Sequence, residues 1–327
     1  MTILAIETSC DETAAAIVRE GREVLSDVVA TQIADHAPYG GVVPEIASRR
    51  HVELIVPVVR QALVESGLDT AQVDAVAVTH GPGLAGALLV GLSFAKGLAW
   101  ASGKPFVGVN HIESHISANF LGGGFEPPFL CLVVSGGHTE LLMVSDYGCY
   151  EYLGGTLDDA AGEAFDKTAR VLGLGYPGGR RIDELAQRGN SAAYEFPRAI
   201  QKDGLDFSFS GMKTAVIQHL QRNPAGSVED AAASIQQAIV DVLVEKTARA
   251  ARERGVAKIA LAGGVAANSG LRRAFEALCA ANGWLLNIPP QRWCTDNAAM
   301  VGAAAYYKIR KQGFDCLSLN ALPGLEI

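Results

Sequence analysis

The chain has 327 residues, 49% of them hydrophobic and 19% charged, with a formal net charge of -8. That length suits two domains, and the composition excludes a disordered chain. The acidic balance excludes nucleic-acid binding by overall charge, so any RNA contact has to come from a local basic patch or a partner.

Strand-like sequence begins at Ile3, and no secretory leader is expected before it. The opening ILAIETSCDETAAAIV reads as a strand, a short polar turn and a second strand. The same shape returns at Leu130–Val144, LCLVVSGGHTELLMV, with Thr13 and Thr139 in matching places after each turn. A second matching pair is Asp74–Leu92 and Lys258–Phe275, each a strand, a Gly-rich turn and a helix. Two related lobes explain both pairs. The expected division is 1–127 for lobe I and 128–296 for lobe II. A C-terminal helix, 297–322, would pack back on lobe I. The second lobe would carry a substrate-binding insertion near 153–214, whose polar, Gly-rich stretches suit function. The stretch Gly83–Trp100 is apolar but contains Lys96, and it reads as a buried helix rather than a membrane span. Six cysteines without a CxxC pair read as reduced thiols of a cytoplasmic protein.

HIESH sets His111 and His115 four residues apart, about 40° from each other on a helix. Such a pair can hold one metal ion or be an ordinary histidine pair. Glu113 falls about 200° round the helix from His111, unlike the glutamate of HExxH proteases, so a metalloprotease reading is poor. Asp296 in WCTDNAAM is a candidate third ligand and equally a helix N-cap. The turn Ser135–His138, SGGH, offers backbone N–H groups to an anion, as does Glu7–Thr13, ETSCDET. In GGVAANSG, Asn268 can cap a helix or donate to a nucleotide. Asp166 and Lys167 fit a solvated helix face. Tyr176–Gly179 reads as a turn, with Asp183 near enough to reach ribose hydroxyls.

These segments together resemble the tRNA N6-adenosine threonylcarbamoyltransferases, a family once labelled O-sialoglycoprotein endopeptidase. IETSCDET, GGVVPEIASRRH, GPGLAGALLVGLSFAKGLA, HIESH, VSGGHTEL, TLDDAAGEAFDK, GYPGG, FSFSGMKT and AGGVAANSGLR occur in the family's order across nearly the whole chain. The resemblance implies an α/β, two-lobed actin/hexokinase/Hsp70-like fold, with duplicated RNase H-like lobes and a nucleotide cleft between them. It implies transfer of threonylcarbamoyl from threonylcarbamoyl-AMP to N6 of adenosine 37, in tRNAs reading codons that begin with A, with release of AMP. It assigns His111, His115 and Asp296 to one divalent metal ion, Fe2+ or, as the alternative, Zn2+. It assigns Val134, Ser135, Gly136, Gly137 and His138 to the acyl-adenylate. Asp166, Gly179, Asp183 and Asn268 go to its adenosine part. Glu12 and His138 are base candidates by residue type. The implied partners are tRNA, an inactive paralogue of the same fold as heterodimer mate, and a P-loop ATPase; no membrane is implied.

The sequence departs from the family after GYPGG, where Arg180 and Arg181 replace the usual Pro. The pairs Arg49–Arg50 and Arg180–Arg181, with His51, are the basic candidates for RNA contact. The competing functions are a phosphotransferase or ATPase of the same fold, and a non-catalytic scaffold. The histidine pair argues against the scaffold, because the inactive paralogue lacks it.

Overall fold

The computed structural model describes residues 1–200 and 204–327. Part of the expected insertion, residues 201–203, lies outside the described residues. The chain forms two compact units. The first holds Met1–Pro127, Asp146–Cys149 and Arg292–Ile327, and the second holds Pro128–Ser145 and Tyr150–Gln291. The expected division differs at two points. The hairpin tip 146–149 and the segment 292–296, with Asp296, belong to the first unit.

Each unit is built on a five-stranded mixed sheet. In the first, β1 (Thr2–Glu7), β2 (Glu12–Arg19), β3 (Glu23–Thr31), β4 (Ala75–Gly81) and β5 (Phe106–Asn110) are ordered β3-β2-β1-β4-β5. In the second, β6 (Phe129–Val134), β7 (Thr139–Asp146), β8 (Cys149–Gly155), β9 (Lys258–Ala262) and β10 (Leu285–Asn287) are ordered β10-β9-β6-β7-β8. Read from the other edge, the two orders are the same. β1 pairs antiparallel with β2 and parallel with β4, and β6 does the same with β7 and β9. The repeat seen in the sequence is therefore a repeat of topology.

Side-chain parity along β1 decides what each face of the first sheet carries. Ile3 and Ala5 join Ala14, Ala16, Val18, Ala75, Ala77, Val107 and Val109 under α10 (Ala298–Gln312). Leu4 and Ile6 join Ala15, Ile17, Val76 and Val78 under α2 (Pro44–Ser66) and α3 (Ala85–Ser102). Alanine dominates the α10 side, which brings helix and sheet close. Gly302 lies at the closest point, where a Cβ would stand 2.6 Å from Val18 Cγ2. The same parity aims Glu7, Glu12 and Thr79 toward the α10 side and Thr13 toward α2.

α3 has the length and apolarity of a membrane-crossing helix, but it buries Ala87, Leu88, Gly91, Leu92, Ala95 and Ala99 within the first unit. The C-terminal helix is shorter than the expected 297–322: α10 ends at Gln312, before Gly313, and 313–327 runs without helix. In the second unit, α5 (Ala161–Val171) and α6 (Gly178–Ala186) lie within the expected insertion, and α7 (Ser210–Arg222) begins in it and runs beyond. They are followed by α8 (Val228–Arg254) and α9 (Ser269–Asn282).

Candidate functional site

β5 delivers the chain directly into α4 (His111–Ser117). Asn110 caps that helix, its side-chain oxygen accepting from the N–H groups of Ile112 (2.8 Å) and Glu113 (3.2 Å). His111 and His115 follow on one face, with ring centroids 4.6 Å apart and planes at 77°. Asp296 Oδ1 lies 3.2 Å from His115 Nε2 and 3.7 Å from His111 Nε2. One ligand atom from each of the three residues falls within 4.8 Å of the others. The N-cap role open to Asp296 in the sequence is filled by Asn297 instead, which accepts from Met300 N at 2.9 Å. Asn297 is fully buried and also donates to Thr295 O at 2.8 Å, so it fixes the turn that presents Asp296. Asn297→Ala should cost about 2 kcal/mol of stability, through the lost cap and the orphaned polar groups, measured by urea unfolding.

The residues present fit a metal ion. His115 is buried, yet among the described residues neither of its ring nitrogens has a partner in hydrogen-bonding geometry, with Asp296 Oδ1 3.2 Å from Nε2. Leaving such groups unpaired costs about 1–3 kcal/mol, and a cation beside Asp296 is the partner this geometry suits.

Glu7 is the residue that reading the sequence missed. It is fully buried, and its Oε2 lies 3.2 Å from His111 Nδ1 and accepts from Thr79 Oγ1 at 2.6 Å. Ser9 Oγ also lies 3.1 Å from His111 Nδ1, and Ser9 N donates to Glu7 Oε1. A proton on His111 Nδ1, held by Glu7, leaves Nε2 bare toward Asp296 and His115, the arrangement that orients metal-binding histidines. Burial works to raise the Glu7 pKa, but His111 outweighs it and holds the carboxyl below its usual value. Burial also opposes charge on His111, but Asp296 and Glu7 lift it to about 9. The signal was present: a glutamate ending an otherwise apolar strand, in phase with Ile3 and Ala5. Glu7→Gln keeps the shape and removes the charge. It should weaken metal binding 10–100-fold, read by competition with a chromogenic chelator.

Glu12 begins β2 and accepts weakly from Thr31 Oγ1 at 3.3 Å. Burial, then Asp296 and Asp11, push its carboxyl well above the ordinary range. Glu113 points elsewhere. Its carboxylate lies beside Gly148, where a Cβ would be 3.5 Å from Oε1, as its off-face position predicts.

In the second unit, the SGGH turn joins β6 to β7. Ser135 N donates to His138 O (2.8 Å), and His138 N donates to Ser135 Oγ (3.1 Å). Gly136 and Gly137 are exposed, with open space where side chains would be. Behind the turn Gly263, at φ 89°, packs against Val134; a Cβ there would meet Val134 O at 2.3 Å. Asp166 is not part of a solvated face: its Oδ1 accepts from Gly178 N (2.8 Å) and Gly179 N (3.3 Å) and caps α6. Lys167 does make surface ion pairs, with Asp159 and Glu163. Gly178 and Gly179 start α6 rather than closing a turn, after a cis Tyr176–Pro177 bond. Asp183 accepts from Ser269 N (3.0 Å) and Ser269 Oγ (2.7 Å), tying α6 to the start of α9. Asn268 caps α9 through Leu271 N (2.9 Å) and donates to Gln236 Oε1 (2.7 Å). The four residues assigned to adenosine thus form one scaffold around two helix N-termini, where an anion is favoured.

The expected basic candidates have acidic neighbours. Arg49 pairs with Glu45, Arg50 with Asp35 and Glu53, and both Arg180 and Arg181 with Glu184. His51 is fully buried.

The profile of the family described as tRNA N6-adenosine threonylcarbamoyltransferase matches residues 23–303. Curated relatives of that name align along the whole length. The chain is 55% identical over 333 residues to one from Clostridium botulinum (strain 657), covering 100% of this chain and 98% of the relative. It is 56% identical over 332 residues to one from Symbiobacterium thermophilum, covering 99% and 96%. The chain belongs to this family. It is an enzyme that modifies tRNA, forming threonylcarbamoyladenosine. Two solved structures share the fold at low identity. The HypF of T. kodakarensis aligns at TM-score 0.64 and 15% identity, over 94% of this chain and 48% of that one. Component A of the Acidaminococcus fermentans (R)-2-hydroxyglutaryl-CoA dehydratase aligns at TM-score 0.59 and 15% identity, over 95% and 100%. These likenesses place the chain in the actin/hexokinase/Hsp70 fold class.

Proposed function

We propose that the donor is threonylcarbamoyl-AMP and the acceptor is N6 of adenosine 37, in tRNAs reading codons that begin with A. The carrying observation is the His111–His115–Asp296 cluster, with a buried His115 that lacks any hydrogen bond, in a chain of this family. Two imidazoles and a carboxylate suit Fe2+ or Zn2+ and leave further coordination positions for substrate. A bound ion supplies Lewis-acid polarisation of a carbonyl or phosphate oxygen.

The chain's own residues hold and prepare that chemistry. Glu7 and Ser9 orient His111, and Asn297 presents Asp296. In the reaction the N6–carbon bond forms and the carbon–oxygen bond to phosphate breaks. AMP leaves with that electron pair, and N6 gives up a proton. The N6 lone pair is delocalised into the purine, so positioning supplies much of the rate. Glu12 and His138 are the proposed proton acceptors. Burial, with Asp296 and Asp11, raises the Glu12 carboxyl in the direction of stronger proton affinity, which supports that role. In the second unit, Val134, Ser135, Gly136, Gly137 and His138 contact the acyl-adenylate. Asp166, Gly179, Asp183 and Asn268 secure its adenosine part, largely by fixing the α6 and α9 N-termini.

The heterodimer mate is a same-fold paralogue, and a P-loop ATPase joins the pair. Val52 and Val56, one turn apart on α2, are 63% and 48% exposed, and Leu89 on α3 is also exposed. Such aliphatic exposure suits a protein partner. Val56→Asp should abolish the heterodimer in sedimentation experiments and leave the lone chain folded. The site of action is the cytoplasm, where the tRNA is.

The test is reconstitution with threonylcarbamoyl-AMP and unmodified tRNA, scored by mass spectrometry of the nucleosides. One AMP released per modified adenosine is expected. ATP-dependent phosphorylation of a small molecule, without nucleoside modification, would instead establish the phosphotransferase reading.

A further inference from the structure

A buried polar chain on the opposite side of the first sheet from α10 has no part in the chemistry above. Gln32, His36, His51 and Thr13 are all fully buried. Val43 N donates to His36 Nδ1 at 3.2 Å, and His36 Nε2 lies 3.2 Å from Gln32 Oε1. Gln32 Nε2 lies 3.4 Å from His51 Nδ1 and Thr13 Oγ1 2.8 Å from it, while His51 Nε2 lies 2.9 Å from Cys10 O. The two ends fix the direction of every proton between them. A backbone N–H can only donate and a backbone carbonyl can only accept. His36 Nδ1 must therefore be bare and its Nε2 protonated. Gln32 must turn its oxygen to His36 and its amide nitrogen to His51. His51 must likewise be neutral, with its proton on Nε2, facing Cys10.

The chain ends on the turn that serves the metal cluster. Three successive carbonyls of that turn are held from three directions. Ser9 O accepts from Leu84 N (2.8 Å), Cys10 O from His51, and Asp11 O from Gln32 N (3.0 Å). On the other side of the same turn Ser9 Oγ meets His111 Nδ1. Of these three tethers, only the one at Cys10 is made by a side chain.

We propose that His51, oriented by Gln32 and His36, is a positioning residue that sets the Ser9–Glu12 turn and through Ser9 aligns His111. The proposal rests on the metal reading of His111, His115 and Asp296. It assigns a role to the GGVVPEIASRRH segment, from Gly40 to His51, which the metal and nucleotide residues leave without one.

Two measurements on the full chain test it. Nitrogen-15 histidine spectra of the metal-free parent at neutral pH should show His51, identified by its loss in His51→Gln, with a bare Nδ1 and a protonated Nε2. The opposite tautomer, or a charged ring, overturns the relay. The second measurement is Co2+ titration with absorption readout. Gln places its amide nitrogen where imidazole Nε2 stands, whereas Asn reaches only the Nδ1 position. His51→Gln should bind within about threefold of the parent and His51→Asn about tenfold more weakly, with circular dichroism showing both variants folded at the titration temperature. Equal binding by His51→Asn and the parent overturns the positioning role. A parent that binds no Co2+ overturns the metal reading itself, a separate outcome from the tautomer.

Discussion

His115→Leu will abolish metal binding and tRNA modification, while the metal-free protein unfolds at the same temperature as the parent or higher. His115 is only 1% exposed, and both ring nitrogens lack hydrogen bonds. In the metal-free chain the imidazole is thus a buried polar group whose nearest partner, Asp296 Oδ1 at 3.2 Å from Nε2, is out of hydrogen-bonding geometry, a burden of about 1–3 kcal/mol. Leucine of similar volume removes that burden and keeps the packing. With metal present the order reverses. The parent gains the binding free energy of the ion and the variant gains none, so the parent becomes the more stable of the two. Differential scanning calorimetry with chelator and with Zn2+ reads both halves. A large loss of stability in chelator would mean that His115 is a satisfied structural residue. His111→Ala is a poorer probe of the same site, because it strands the buried Glu7 carboxylate that His111 neutralises.

The second large effect is the pH dependence of metal affinity. Burial disfavours the charged form of His111, but Asp296 and Glu7 overcome it and set the metal-free pKa at about 9. An ion must displace that proton. Affinity should therefore climb about tenfold per pH unit from 7 to 9 and level off above 9. The sign for stability runs the other way in the metal-free chain. A histidine whose folded pKa exceeds its unfolded value near 6.5 stabilises the fold fully below 6.5 and loses that contribution as pH rises through 9. Chelated protein should accordingly lose unfolding temperature over that interval, while metal-loaded protein should not. Flat affinity between pH 7 and 9 would show that no proton is displaced from His111.

Much of the architecture was legible because the strand–polar turn–strand shape and the Gly-rich strand–helix joints repeat along the chain. ILAIE and LCLVV each open a unit, and both lead to sheets of one strand order. The histidine pair was legible from spacing alone. Asp296 was ambiguous for a physical reason. Asp and Asn are both good caps, and only the three-dimensional turn shows that Asn297 takes the amide and leaves the carboxylate to the histidines. Asp166 and Asp183 were misread or half-read because their partners, Gly178 and Ser269, lie 12 and 86 residues away. Glu7 was the real omission, and His51 was misread as an RNA-contact candidate. Strand parity places Glu7 on the α10 face, but its partner Thr79 is 72 residues distant and invisible to local pattern. His51 follows two arginines and therefore reads as surface charge. The helix phase set by Ala47, Ile55 and Val58 puts it inside.

The central claim is that one ion, held by His111, His115 and Asp296, serves threonylcarbamoyl transfer to tRNA. Titrating Zn2+ or Fe2+ into chelated, dialysed enzyme, with its partners and tRNA, tests this most directly. Modified adenosine formed per minute should rise in proportion to added metal and level at one ion per chain. Undiminished modification by the fully chelated enzyme would contradict the account.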